Sequence, residues 1–239
     1  MNRIRALLLF GLLSLLPGLS FASDVMQPQS TLYPFRNMIE MQDDFITGTA
    51  SSGAIGNLGF SGAGTITFQP SAANRFGLVR FDTTAVVSTI ARINTLQLTS
   101  FLSSNDHSNL WAARLNTNDA NTTMRVGFMA FPSTSPPVDG IFFEKLDADT
   151  NWFCVTRAAS TQTRVDTTVA VSTNFANFDY TRNSSGVQFT LNGTNVCGLM
   201  TTNIPTVAGT PSIMIINSAA AAKTFDVDYV QFRILGIAR

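Results

Sequence analysis

Short runs of β-forming residues, separated by glycine, asparagine, serine and proline, recur from Asp43 to the end of the 239-residue chain. Apolar and polar residues alternate in residues 187–191, and Asn192 and Gly193 follow. Asn-Gly between two such runs is typical of a type I′ hairpin. Only residues 218–223 have helix propensity, and this segment is too short to form a helix alone. The pattern predicts an all-β fold, a jelly-roll sandwich of two antiparallel sheets.

The same pattern predicts how the chain is organised. Residues 23–42 are polar and contain Pro28 and Pro34, so they are expected to form an irregular lead-in to a single domain at 43–239. A second hairpin is predicted at residues 147–151, between two apolar runs. In the last strand, the apolar positions change phase after Tyr229, which predicts a β-bulge near that residue.

The first 22 residues have the pattern of a secretory signal peptide. Arg3 and Arg5 precede an apolar run at residues 6–16, and small residues lead to a predicted cleavage site after Ala22. An uncleaved N-terminal anchor is the alternative. No later segment is apolar enough to span a bilayer, so the mature chain is expected to be secreted, periplasmic or on a cell or virion surface.

Composition disfavours two classes of protein. Only 13% of residues are charged and the net charge is zero, with no cluster of lysine and arginine to follow a phosphate backbone. Nucleic acid is therefore not an expected partner. Hydrophobic residues make up 45% of the chain, which disfavours intrinsic disorder.

Cys154 and Cys197 are the only two cysteines, and both lie in strand-like runs. In an exported chain they are able to form one disulfide that closes a loop of roughly 40 residues. Two separate buried thiols are the alternative. His107 is the only histidine, so these residues do not suffice for a structural zinc site. The segment around His107 is polar and is expected to form a loop.

Acidic residues give little support for catalysis. The chain has only two glutamates, Glu40 and Glu144, whereas a glycosidase needs two carboxyl groups facing each other across the scissile bond. An atypical pair of Glu144 with Asp228 is the remaining enzymatic possibility.

The turn at residues 147–151 offers a weak calcium site. Its oxygen ligands would come from Asp147, Asp149 and Asn151. The alternative is a hairpin turn in which these side chains cap backbone amides. No other cofactor is expected.

Aromatic side chains are the better indication of a ligand. An exposed ring stacks on the apolar face of a sugar while polar groups bind the hydroxyls. The candidate residues are Trp111, Phe131, Trp152 and Tyr180. Packing of these rings in the core between two sheets is the alternative.

The order of these segments resembles the concanavalin A-like lectin and glucanase superfamily, in particular jelly-roll domains of bacteriophage virion and tail proteins and of exported bacterial proteins. The segments that carry the resemblance are residues 43–48, 125–128, 139–144, 152–157, 189–193, 203–205 and 223–229. The resemblance implies the fold but no catalytic residue, because the paired acidic motif of the enzymes and the metal-binding motif of legume lectins are both missing.

Three functions follow from these observations. The first is a non-catalytic module that binds a glycan or another extracellular polymer. The second is a structural subunit of a virion, appendage or coat, whose partner is itself, because a nearly neutral surface favours side-by-side packing. The third is a glycoside hydrolase. The fold hosts all three kinds of protein, so it does not choose between them.

Overall fold

The computed structural model describes residues 38–46, 55–70, 75, 77–95, 101–102, 106–116, 121–130, 133 and 135–235. The predicted signal peptide, its cleavage site at Ala22 and residues 23–37 of the lead-in lie outside the described residues, as does Phe131. Among the residues described, no helix is long and apolar enough to cross a membrane.

The described residues form strands β1 (Met38–Asp43), β2 (Phe60–Ala63), β3 (Thr65–Phe68), β4 (Val79–Asp82), β5 (Ile90–Thr95), β6 (Phe101–Leu102), β7 (His107–Leu115), β8 (Thr122–Met129), β9 (Gly140–Lys145), β10 (Asn151–Ala158), β11 (Thr161–Ala170), β12 (Ala176–Asn183), β13 (Gly186–Leu191), β14 (Thr194–Met200), β15 (Ala208–Asn217) and β16 (Thr224–Leu235).

Two antiparallel sheets pack face to face. The first has the order β14-β13-β12-β7-β16-β4-β3, with β1 also paired to β16. The second has the order β11-β10-β9-β8-β15-β5-β2, with β6 paired to β15. Neighbouring strands in each sheet are often distant in sequence, as in a jelly roll. The predicted fold class, an all-β jelly-roll sandwich of two antiparallel sheets, is confirmed.

Alternation along the strands produces the core. In β16, Phe225 and Val227 point inward while Asp226 points outward, because successive side chains leave a strand on opposite faces. The ring of Phe225 stacks on Phe81 of β4 at 4.8 Å. The register then shifts between Val227 and Tyr229, which is the predicted bulge. Val230, Phe232 and Ile234 thereby continue the inward face.

Both predicted hairpins are present. Strands β9 and β10 pair around the turn after Lys145, and β13 and β14 pair around Asn192 and Gly193. Both of these turn residues have positive φ, 52° and 79°, as a type I′ turn requires.

Two parts of the chain differ from the sequence prediction. Met38–Gln42, assigned to the irregular lead-in, belong to β1 and pair with β16, because the prolines that suggested an irregular segment lie further upstream. The segment around His107 was expected to be a polar loop, but His107 begins β7 and lies in the core. Its ring packs against Phe128, Tyr180 and Phe232 at 5.2–5.7 Å between centroids.

A disulfide joins the two sheets near one edge. Cys154 of β10 is bonded to Cys197 of β14, so the disulfide alternative holds and that of two separate thiols does not. The register of β13 with β14 jumps from Val196 to Leu199, which inserts Cys197 and Gly198 as a bulge. Both inserted residues have a φ of 64°. The bulge places Cys197 opposite the second sheet, where it meets β10.

Candidate functional site

The side of the second sheet that faces away from the core carries three rows of side chains across its strands. This side is called the outer face of the second sheet below. Strand register aligns the first row as Asp166, Phe153, Glu144, Arg125, Met214, Arg92 and Ala63. The second row is Arg164, Val155, Phe142, Gly127, Ser212, Asn94 and Ser61. The third row is Gln162, Arg157, Gly140, Met129 and Thr210.

Exposure along these rows is lowest in the middle of the sheet. Arg125 and Glu144 are only 2% and 3% exposed, although neither points into the sandwich core. Phe153, Arg157 and Arg164, nearer the edge, are partly exposed. Side chains in the middle of this face are therefore covered by their neighbours, and those near the β11 edge reach solvent. On the outer face of the first sheet, Ser108, Leu110 and Gln231 are partly exposed, whereas Asp226 is fully buried.

An ionic network lies on this face, between β8 and the β11 edge. Arg125 Nε donates to Glu144 Oε1 at 2.9 Å, and Arg164 Nε donates to Glu144 Oε2 at 3.0 Å. Arg164 also forms an ion pair with Asp149. A buried carboxylate is stable only when paired and hydrogen-bonded, and two guanidinium groups meet this need for Glu144.

Phe153 presents the partly exposed aromatic ring of the outer face. The guanidinium carbon of Arg164 lies 3.4 Å from its ring centroid, within the range of a cation–π contact. The contact fixes both side chains, since Arg164 is held at the same time by Glu144. The guanidinium covers one face of the ring, so a ligand is able to contact Phe153 only at the part of the ring that Arg164 leaves exposed.

Four apolar residues of the outer face form a buried cluster: Met129, Phe142, Val155 and Met214. Phe142 lies close over Gly140, where an added Cβ would approach the ring to within 2.8 Å. Gly127 of β8 lies opposite Phe142, and a Cβ there would lie 2.4 Å from the carbonyl oxygen of Ile141. Gly127 also has a φ of +152°, so glycine is required there for both reasons.

The aromatic residues predicted from the sequence are not at this site. Trp111, Trp152 and Tyr180 are all buried in the sandwich core, which corrects the expectation of exposed stacking rings. Trp111 donates from Nε1 to Asn109 at 2.9 Å, and the Trp152 ring packs edge-on to Phe178. Burial raises the pKa of Tyr180 well above its ordinary value. Phe131 lies outside the described residues.

The predicted calcium turn is organised as a hairpin instead. Asp149 Oδ2 accepts a hydrogen bond from the Leu146 amide at 2.7 Å and pairs with Arg164. Asn151 donates to Asp166 on β11, and Asp147 accepts at its backbone carbonyl from Lys145. Within the described ranges, no group of three or more acidic, histidine or cysteine side chains is arranged to hold a metal ion. The cations beside Asp149 oppose a divalent ion there.

The carboxylate pair predicted as an enzymatic possibility is not assembled. Glu144 lies on the second sheet, whereas Asp228 lies on the first and forms an ion pair with Arg75. The sandwich core separates the two groups, so they do not face each other across one bond as a glycosidase requires.

The first sheet has a network of its own around Asp226, which is fully buried. Arg80, Arg114 and Asn116 all donate to this carboxylate. Burial alone would raise the pKa of Asp226, but these hydrogen bonds outweigh it and hold the pKa below its ordinary value. Both carboxylate oxygens of Asp226 accept hydrogen bonds from the protein itself, so we interpret this cluster as one that stabilises the fold.

The sequence prediction did not identify four residues of the candidate site, which are Arg125, Phe153, Arg157 and Arg164. The available signal was in β10, where Trp152 and Cys154 occupy one face and Phe153 and Val155 make the other face apolar as well. An antiparallel strand with two apolar faces indicates that its outward side is also sheltered.

A two-sheet antiparallel sandwich with this strand order defines the class of protein, and the chain has the concanavalin A-like jelly-roll fold. A protein of unknown function from Shewanella oneidensis MR-1 is similar with a TM-score of 0.65 at 15% identity, covering 84% of this chain and 89% of that one.

Structures of proteins with known functions are similar as well. The carbohydrate recognition domain of Emp47p has a TM-score of 0.57 at 10% identity, covering 83% of this chain and 95% of that domain. A Bacillus licheniformis β-glucanase has a TM-score of 0.54 at 13% identity, covering 81% and 97%. No protein-family model matches the sequence, and no curated protein matches it. At these identities the similarity establishes the fold alone.

Proposed function

We propose that this protein is an exported, non-catalytic module that binds carbohydrate on the outer face of the second sheet. The observation that carries the proposal is the partly exposed ring of Phe153, which is held in place by Arg164 and lies beside hydrogen-bonding side chains. Sugar-binding sites combine these two elements, because a pyranose has an apolar face and polar edges.

The comparisons support a role with carbohydrate. The similar structures include a carbohydrate recognition domain and β-glucanases. Glu144 supports binding over hydrolysis, since both of its oxygens are already engaged by Arg125 and Arg164. A general acid must instead be free to give its proton to the leaving group.

The disulfide supports export. Bonds such as Cys154–Cys197 form and persist in oxidising compartments outside the cytoplasm. If the predicted signal peptide is cleaved after Ala22, the mature protein begins at Ser23, which N-terminal sequencing of the exported protein measures directly.

The test is a glycan array followed by calorimetry with residues 23–239. We expect selective binding that is at least tenfold weaker in Phe153→Ala. Phe175→Ala is the matched control, because Phe175 is also partly exposed and lies under arginine side chains, but close to Arg114 of the first sheet. Equal losses in both variants, or an array without any binding, would contradict the proposal. Release of reducing ends from a bound glycan would contradict the non-catalytic part.

A structural subunit is the second candidate, and the edge strands favour it. Strands β11 and β14 end their sheets on the same side of the sandwich, and Leu199 of β14 is half exposed. Unpaired edges are templates for pairing with another chain. Large particles in light scattering, together with a blank array, would favour this function over the first.

A further inference from the structure

Arginine dominates the charged groups of the outer face of the second sheet. Its three rows contain Arg92, Arg125, Arg157 and Arg164, against Glu144 and, on the edge strand, Asp166. Arg125 and Arg164 share Glu144, and Arg164 also pairs with Asp149. Arg157 pairs with no carboxylate in the described ranges, and its Nη1 donates to the amide oxygen of Gln162 at 2.7 Å.

Two N–H donors of these arginines have no acceptor within the described part of the chain. These donors are Nη1 of Arg125, a residue that is only 2% exposed, and Nε of Arg157. A guanidinium has five donors and no acceptor, so a hydrogen-bond acceptor is needed to satisfy it. A donor that stays buried without an acceptor is unfavourable.

The positions of Arg157 and Arg164 suit a single anionic group. Arg157 pairs with Gln162 and Arg164 pairs with Val155, which makes the two arginines diagonal neighbours on adjacent strands. Residues in this relation are about 7–8 Å apart, and somewhat closer at their Cβ atoms, which is within reach of long side chains. Phe153 lies under Arg164, so a sugar that contacts the exposed part of this ring would lie close to the guanidinium group of Arg164.

We propose that the ligand of this face is an acidic glycan, whose carboxylate or sulfate group is bound by Arg157 and Arg164 beside the ring of Phe153. The inference rests on the proposed function and adds the class of sugar. Arginine is the side chain suited to this role, because its planar fork donates two parallel hydrogen bonds to an oxyanion. Glu144 has a positioning role, since it holds Arg125 and Arg164 in place without contacting the ligand.

The experiment measures binding of residues 23–239 to matched pairs of oligosaccharides by calorimetry. Oligogalacturonate is compared with its methyl ester, which has the same sugar without the charge, and dextran sulfate is compared with dextran. We expect the charged member of one pair to bind at least tenfold more tightly than its neutral partner, and more weakly at higher salt. Which pair shows the difference identifies the carboxylate or the sulfate.

Arg157→Gln tests the residue assignment, because it removes the charge without disturbing Glu144. We expect at least a tenfold loss for the acidic oligosaccharide and no change for a neutral one. Arg233→Gln is the control, since Arg233 lies on the first sheet with its own partner, Glu40. Arg157→Lys keeps the charge but loses the fork, and we expect intermediate affinity. Arg157→Lys also serves as the test of the assignment if Arg157→Gln does not fold.

The outcomes separate this inference from the proposed function. Equal binding of neutral and acidic oligosaccharides, lost in Phe153→Ala, overturns the acidic class and leaves the carbohydrate module standing. Absence of binding to any sugar overturns both. Equal effects of Arg157→Gln and Arg233→Gln overturn the assignment of the anion to Arg157.

Discussion

Removing the disulfide should lower the free energy of unfolding by an amount that depends on the length of the loop that it closes. Cys154 and Cys197 are 43 residues apart in sequence and join β10 of one sheet to β14 of the other. The double variant Cys154→Ala with Cys197→Ala removes the covalent link but leaves both sheets and their hydrogen bonds intact.

The magnitude follows from the length of the closed loop. For a loop of this length, the chain-entropy model gives about 4 kcal/mol at 25 °C, because the cross-link restricts the unfolded chain. For a domain of this size, that loss corresponds to a melting temperature lower by about 8–16 °C. Cys154 is fully buried, so its truncation adds a small packing loss to the double variant.

Urea unfolding followed by tryptophan fluorescence measures this effect, because Trp111 and Trp152 are both buried in the folded protein. The free energy of unfolding should fall by about 3–5 kcal/mol. Wild-type protein reduced before the measurement is the control, and its midpoint should lie close to that of the double variant. A loss under about 1 kcal/mol would refute the reasoning. If the free energy of unfolding falls by the full amount in the double variant but does not fall in the reduced wild-type protein, the effect comes from packing.

Three further predictions concern the scaffold. Asp226→Asn should lower the free energy of unfolding by about 2–3 kcal/mol at pH 7, because it removes a buried carboxylate from two partly exposed arginines. Hydrogen bonds hold the folded pKa of Asp226 below its unfolded value, so the difference in unfolding free energy between the two proteins should persist above about pH 4. It should vanish as the pH falls through the folded pKa, which acid titration of both proteins would show. Asn217→Ala should cost about 2–3 kcal/mol in thermal or urea unfolding, because its buried amide donates to two carbonyls of the loop between β4 and β5; an unchanged midpoint would contradict this. Gly127→Ala should cost about 2–3 kcal/mol through its clash with Ile141, whereas Gly193→Ala, which has open space around it, should cost only about 1 kcal/mol; equal losses would argue against the clash.

The fold could be predicted because its determinants are local. Alternation in the last strand, the Asn192-Gly193 turn and the phase change near Tyr229 each depend on a few neighbouring residues, and each is confirmed. Strand β1 could not be predicted in this way. Its partner is β16, at the other end of the chain, and its own sequence alternates weakly.

The candidate site was harder to predict because it depends on which face of a strand points outward. Trp152 and Phe153 are adjacent in sequence, and composition alone favours tryptophan as the exposed ring. The strand instead turns Trp152 and Cys154 into the core, where the disulfide fixes them, so Phe153 points outward. The partners of Glu144 come from β8 and β11, which are assembled only by the sheet.

Mapping a bound glycan onto the two sheets shows whether the outer face of the second sheet binds it. Hydrogen–deuterium exchange of residues 23–239, with and without the tightest glycan from the array, reports which strands are protected. We expect new protection in β8–β11, including the segment around Phe153 and Arg164, and none in β12–β14. Protection confined to the first sheet, or to the loops at the ends of the sandwich, would contradict the assignment of function to the outer face of the second sheet.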